Sequence, residues 1–193
     1  MIRVVKIGGN VVDNPELLRE FVRDFAAMPG MKILVHGGGV MASQMQKEMG
    51  LTPVMIEGRR VTDEAALKVV TMVYAGWCSK NITALLQAEG CNAIGLSGAD
   101  GNAVKARKRP PVHIESLGKE IDYGYVGDVT GESVNAGFIY ALLERGIVPA
   151  KHLQLYKASS SDANLLHKLA NFYTQHLCKN ILIILVNFAT DDL

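Results

Sequence analysis

The sequence predicts an α/β fold, a three-layer αβα sandwich around a mostly parallel open sheet. Short apolar runs alternate with segments of helical periodicity along the 193 residues, an order that produces parallel strands joined by crossover helices. Two of the runs open directly into glycines: Val4-Val5-Lys6-Ile7-Gly8-Gly9-Asn10 and Ile33-Leu34-Val35-His36-Gly37-Gly38-Gly39. In such sheets the turns at the carboxyl ends of the strands are where ligands bind.

The elements follow in order. Residues 2–7 read as a first strand. Residues 15–27 read as a helix, with Pro15 near its start and Leu17, Leu18, Phe21, Val22 and Phe25 at helical spacing, stopped by Pro29-Gly30. A second strand at 32–36 leads through the glycines into a helix at about 40–49. Its Met41, Met45 and Met49 recur every four residues, a stripe expected to pack against the core or another helix. Val54 to Glu57 is extended, and Thr62 or Asp63 caps a helix at about 64–75 carrying Leu67, Val70, Thr71 and Tyr74 along one side. A further helix covers Ser79 to Ala88. Region 64–88 is more apolar than one small core requires, which predicts a homodimer contact. Residues 92–98 form a strand ending in a polar glycine turn, 104–129 form paired strands, and Phe138 to Arg145 form a helix closed by Gly146. Strands at 147–149 and 181–186 complete the pattern, the latter preceded by a helix at about 162–177.

Composition narrows the function. The net charge of +1 offers no footprint for nucleic acid or a membrane surface. The basic run Lys105-Ala106-Arg107-Lys108-Arg109 has no interleaved aromatic residue, so it reads as a solvated hairpin or lid loop. Three cysteines, Cys78, Cys91 and Cys178, with no C-x-x-C pair, predict neither a disulfide framework nor a metal site, and a reducing cytoplasmic location fits them. The longest apolar run, 181–186, is too short to cross a bilayer, and the first residues lack an export signal.

The chemistry lies in the glycine turns. Without a Cβ, successive backbone N–H groups approach an anion closely, and a helix starting there adds its positive dipole end. Lys6 places a mobile cation at the edge of the first turn. Neither a P-loop nor a dinucleotide fingerprint is present, so both of those classes drop out. Tight strand-to-helix turns with no ligand remain the structural alternative.

Taken in order, Lys6-Ile7-Gly8-Gly9, Val35-His36-Gly37-Gly38-Gly39, Gly58-Arg59-Arg60-Val61-Thr62, Lys80-Asn81, Gly95-Leu96-Ser97-Gly98 with Asp100, and Tyr123-Gly124-Tyr125-Val126-Gly127-Asp128-Val129 make residues 2–149 resemble the amino acid kinases. Within that family they resemble the acetylglutamate kinase branch, to which the Gly58–Thr62 and Tyr123–Val129 motifs are most specific. The resemblance implies transfer of the γ-phosphoryl of ATP, carried with Mg2+, to the side-chain carboxylate of N-acetyl-L-glutamate in arginine biosynthesis. It implies Lys6 as the catalytic cation, Gly8 and Gly9 as phosphate-binding amides, Gly38 and Gly39 bordering the acyl-amino-acid pocket, and Arg60 as the clamp on the α-carboxylate. On chemistry alone Arg59 is nearly equal to Arg60; the family register favours Arg60. A carboxylate nucleophile is already ionised at neutral pH, so His36 is read as a structural turn residue and not as a base.

After Pro149 the resemblance weakens. Where the family carries an Asn-x-Asn-Ala-Asp loop, this chain reads Ala158-Ser159-Ser160-Ser161-Asp162-Ala163-Asn164, with Asp162 the residue that stands where the family aspartate would. The expected division is an acyl-amino-acid-binding and dimerisation portion at 1–149, followed by an atypical remnant of a nucleotide-binding portion at 150–193, so that the C-terminal half of the fold is incomplete. Two alternatives stay open beside an acetylglutamate kinase. One is a binding module, or truncated product, that holds the acyl amino acid without phosphorylating it; the other is a sibling kinase with a different acceptor.

Overall fold

The structure, a computed structural model, describes residues 2–152 and the backbone of a strand at 181–186. Five parallel strands form the central sheet: β1 (Ile2–Ile7), β2 (Lys32–His36), β5 (Ala93–Leu96), β10 (Val148–His152) and β11 (Ile181–Val186), in the order β11-β1-β2-β10-β5. Small antiparallel pairs stand apart from it: β3 (Met55–Ile56) with β4 (Arg59–Arg60), β6 (Arg107–Lys108) with β9 (Gly127–Asp128), and β7 (Val112–Ile114) with β8 (Lys119–Ile121). Helices are α1 (Gly9–Val12), α2 (Pro15–Ala27), α3 (Gly39–Glu48), α4 (Glu64–Thr71), α5 (Ser79–Ala88) and α6 (Ala136–Glu144).

Strand alternation divides the buried residues between the two faces of the sheet. Val5, Ile7, Leu34 and Ala150 pack with Phe21, Phe25, Val69, Ile82 and Leu86 from α2, α4 and α5. Val4, Ile33, Val35 and Leu96 point the other way and pack with Ile139 and Leu143 of α6. This is the three-layer sandwich expected from the sequence. The strand at 181–186 forms as expected and pairs in parallel with β1, Lys6 lying opposite Leu185. The expected helix at 162–177 and Asp162 lie outside the described residues.

Local chemistry sets the element ends. Asn14 caps α2 by accepting from the Glu16 and Leu17 amides at 3.0 and 3.1 Å. At the other end of α2, Lys32 Nζ donates to the carbonyls of Phe25, Ala26 and Met28 at 2.8, 2.7 and 2.7 Å, satisfying acceptors a helix end leaves open. Asp63 caps α4 through the Ala66 amide at 2.7 Å.

Three details differ from expectation. The helix at 64–75 does not stop before 79: α4 runs into a π-helical segment, Met72–Cys78, and straight on into α5. The added residues in each turn rotate the buried side onto Val69, Val70, Val73, Tyr74 and Cys78; Thr71, expected along that side, is exposed. Of the methionine stripe only Met41 packs against the core, while Met45 and Met49 are 37% and 54% exposed. A four-residue spacing drifts around a helix of 3.6 residues per turn, so the stripe leaves the buried side.

Candidate functional site

The two glycine turns meet. A Cβ built on Gly37 would lie 3.5 Å from the Gly9 nitrogen, so the loop after β2 rests against the loop after β1. Gly38 has φ 156° and ψ 20° and serves as N-cap of α3 with no side-chain cap. A Cβ there would stand 3.0 Å from Cys78 Sγ and 3.2 Å from a Tyr74 ring carbon, so both conformation and space demand glycine. Gly8 caps α1 with extended backbone.

Arg60 comes to the same place from a hairpin. Glu57 and Gly58 have φ 47° and 73° and close a two-residue turn between β3 and β4, the left-handed pair such a turn requires. Arg60 is only 3% exposed. Its guanidinium donates to Gln46 Oε1, to Ser43 Oγ at 2.6 Å and to the Gly39 carbonyl at 3.2 Å. All three acceptors are neutral. Nε is buried with no acceptor, and no carboxylate lies within ion-pair distance among the described residues. A buried cation is ordinarily paired; among the described residues this one is oriented by dipoles alone.

The wall beside it is the segment at 123–125. Thr62 N donates to the Tyr123 carbonyl at 2.9 Å, and Tyr125 N returns a bond to the Thr62 carbonyl at 2.7 Å. Gly124, with φ 74°, lies so close to the Thr62 carbonyl that a side chain there would collide with it. The basic run is engaged in this subdomain: Lys108 pairs with Asp122 at 2.9 Å and Arg109 with Asp128. Asp100 is likewise used locally, accepting from Ser97 N and Oγ at 2.6 and 2.7 Å, and these bonds hold its carboxyl below the usual range.

Lys6 occupies the penultimate position of β1, opposite Val35 of β2, and so leaves the sheet on the α6 face. The structure thus joins Gly38, Gly39 and Arg60 at the start of α3, abuts Gly9 on Gly37, and sets Lys6 at the carboxyl edge on the other face. No contact joins Lys6 to Arg60 among the described residues.

Three residues at the site were missed from sequence. The π-helical segment aims Tyr74 at Arg60 and Gly38; burial pushes its phenol up, and the nearby Arg60 charge pulls the other way. Asp13, at the end of α1, has both carboxylate oxygens buried and without hydrogen-bond partners among the described residues, and burial raises its pKa. His152 at the end of β10 stacks on Tyr74 with centroids 3.9 Å apart and meets His36 edge-on at 5.5 Å. The expected signals were weak: a lone aspartate after a glycine turn, a tyrosine in an apolar helix and a histidine beyond the recognised motifs.

His36 is completely buried and its Nδ1–H donates to the Gly37 carbonyl at 3.0 Å. Burial lowers its pKa. It is a neutral structural residue, as the sequence suggested, but it closes β2 and does not lie in the turn. Cys78, pushed up to about 11 by burial with the Asp13 charge adding, is an inert thiol. Among the described residues no three His, Cys, Asp or Glu side chains cluster to hold a metal ion, and no helix is long and apolar enough to cross a membrane.

Comparison with known proteins defines the class. Residues 1–152 match the amino acid kinase family, and the chain belongs to it. It is 49% identical over 148 residues to the acetylglutamate kinase of Phocaeicola vulgatus, covering 77% of this chain and 54% of that protein. The acetylglutamate kinase of Cytophaga hutchinsonii is 49% identical over 146 residues, 76% of this chain and 52% of its own length. The chain spans about half the length of the curated relatives it matches. Among solved structures, smu.665 from Streptococcus mutans superposes with a TM-score of 0.57 at 25% identity, covering 78% of this chain and 58% of that one. N-acetylglutamate synthase from Neisseria gonorrhoeae, crystallised with coenzyme A and N-acetyl-glutamate, gives 0.59 at 21% identity over 78% of this chain and 33% of its own, a likeness of fold.

The buried histidines predict how stability depends on pH. Burial, with the charges of His36 and Lys151 adding, pushes His152 down to about 3, whereas in the unfolded chain it titrates near 6.5. Between those values the unfolded chain binds a proton that the folded chain does not, so stability falls as pH falls through the window. The melting temperature should therefore drop between pH 7 and pH 4. His152→Phe, which keeps a ring against Tyr74, should flatten that slope; an unchanged slope would contradict the assignment.

Proposed function

We propose that this chain is the acceptor-binding portion of an acetylglutamate kinase, in which the γ-phosphoryl of ATP passes to the side-chain carboxylate of N-acetyl-L-glutamate to give an acyl phosphate in the cytoplasmic synthesis of arginine. Residues 1–149 hold the acyl amino acid and the dimer contact, and residues 150–193 belong to the nucleotide side. The observation that carries this reading is the buried Arg60, oriented by Gln46, Ser43 and the Gly39 carbonyl and paired with no carboxylate side chain among the described residues. A guanidinium so placed binds a carboxylate through paired N–H donors, which lysine cannot reproduce. The identity to named acetylglutamate kinases supports N-acetyl-L-glutamate as the source of that carboxylate.

Phosphoryl transfer of this kind is mainly positioning and charge stabilisation. An oxygen of the acceptor carboxylate forms a bond to the γ-phosphorus as the bond to the β-bridging oxygen breaks, and ADP leaves with that electron pair. No proton need be removed from the nucleophile, which agrees with a neutral, fully buried His36. Lys6 offsets charge on the transferring group, and the amides of Gly8, Gly9 and Gly38 receive its oxygens. Mg2+ belongs to the ATP phosphates in this reading, since it commonly binds through phosphates with few protein carboxylates.

Calorimetric titration of the purified chain tests the acceptor half. Saturable binding of N-acetyl-L-glutamate, with plain L-glutamate much weaker, is expected; no binding by a folded chain would overturn it. Arg60→Ala should weaken that binding by about 2–5 kcal/mol. Lys6→Ala should leave acceptor affinity nearly unchanged while lowering any phosphoryl transfer on the order of a hundredfold or more. Equal effects of the two substitutions on acceptor affinity would contradict the division of roles.

A homodimer through 64–88 is supported by Met72 and Trp77, which are 52% and 62% exposed on the π-helical segment. Light scattering should give twice the chain mass, and Trp77→Glu should halve it; a monomeric parent would refute the contact.

A further inference from the structure

Among the described residues two lysines in strand positions, Lys32 and Lys151, are nearly buried, and they are treated differently. Lys32, 5% exposed, gives all three ammonium donors to the carbonyls at the end of α2. Lys151, 8% exposed, makes no hydrogen bond and no ion pair among the described residues. A buried ammonium normally finds acceptors, and Lys32 shows that this fold can supply them when the lysine is structural.

Register places Lys151 beside the first glycine turn. Val35 of β2 is the partner of Lys6 on one side and of Lys151 on the other. In parallel strands such partners project from the same face, and that face is the one on which Val4, Val35 and Leu96 meet α6. Two strand spacings put the Cα atoms of Lys6 and Lys151 about 10 Å apart, with the buried Val35 between them. Both lie at the carboxyl edge, Lys6 two residues before Gly8.

We propose that Lys6 and Lys151 form a two-ammonium clamp that binds a phosphoryl anion across β2, making Lys151 a second phosphate-binding residue of the chain. Two flexible four-carbon stems approaching from either side suit a tetrahedral anion better than a planar carboxylate, for which the fork of Arg60 is built. The assignment rests on the reading of Lys6 as the cation that faces the phosphoryl group. Desolvation of Lys151, which lowers its pKa to about 8, is then offset when an anion arrives. The other titratable groups on the elements around it are Arg3 and Lys6 on β1, Lys32 and His36 on β2, His152 beside it, Asp100 beyond β5, Lys80 on α5, and Tyr140 and Glu144 on α6. None of them makes an ion pair with it among the described residues.

The test is calorimetry on the full chain with three probes: tripolyphosphate, a non-hydrolysable imido analogue of ATP, and N-acetyl-L-glutamate. The parent should bind both phosphate probes saturably, and Lys151→Met should weaken both by about ten- to a hundredfold while leaving N-acetyl-L-glutamate binding within about twofold. In the parent, phosphate affinity should fall as the pH is raised from 7 to 9, because the ammonium is lost through about 8. In Lys151→Arg the affinity should persist and that loss should disappear. Phosphate binding unchanged in Lys151→Met, absent in the parent, or equally pH-dependent in Lys151→Arg would each overturn the clamp. Should Lys151→Met fail to fold, the comparison of the parent with Lys151→Arg across pH decides. Loss of N-acetyl-L-glutamate binding with phosphate binding intact would contradict the acceptor reading and leave the clamp standing.

Discussion

Arg60 is a positive charge carried almost out of water, and among the described residues its hydrogen-bond acceptors are all neutral. Desolvating a guanidinium is costly, and an amide oxygen, a hydroxyl and a backbone carbonyl return only part of that cost. Much of the surrounding structure maintains this arrangement. The left-handed Glu57-Gly58 turn brings β4 beneath α3, and Gly38 starts α3 in a conformation and a space that only glycine fits. The π-helical segment then supplies Tyr74 to the open side of the guanidinium. A π-turn within an α-helix is rare and often marks a functional site; here it presents Tyr74 and Cys78 together against Gly38.

The sheet separates the remaining chemistry by face. His36 and His152 share a register position, project toward Tyr74 and are kept neutral by burial. One residue earlier on the same strands, Val35 and Lys151 project toward α6, in line with Lys6. The strand side chains at the carboxyl edge are therefore positive toward α6 and neutral toward α4, where the positive charge is that of Arg60 from β4. Two touching glycine turns lie between these faces. An anion that binds the folded chain at either cation stabilises it by mass action, which links occupancy of the site to stability of the fold.

Much of this was legible in the sequence because it depends on local rules. Alternation of apolar runs with helical periods predicted the sandwich, and Pro15 and Asp63 marked helix starts that the structure keeps. The glycine turns were legible because glycine is required where backbone must approach backbone. Arg60 against Arg59 was not decided by chemistry. The hairpin distinguishes them by burial, since neighbouring strand residues point to opposite sides and Arg60 is the buried one. The hairpin was read only as an extended stretch because strands of two residues carry no alternation to detect.

What stayed illegible depends on long-range geometry. A π-turn leaves no distinct period, so 64–88 read as two helices. Asp13 became unusual only when the fold buried its carboxylate, and Lys151 only when β10 was inserted between β2 and β5. Spacing along the chain does not reveal such neighbours; the order of strands does.

The measurement that tests the central claim most directly is nuclear magnetic resonance of the Arg60 guanidinium in 15N-arginine-labelled chain titrated with N-acetyl-L-glutamate. The account predicts a saturable shift of the Arg60 Nε–H signal, slowed solvent exchange, and smaller changes at Arg59. Saturable binding that leaves Arg60 unmoved, or no binding by a chain whose spectrum is folded, would contradict it.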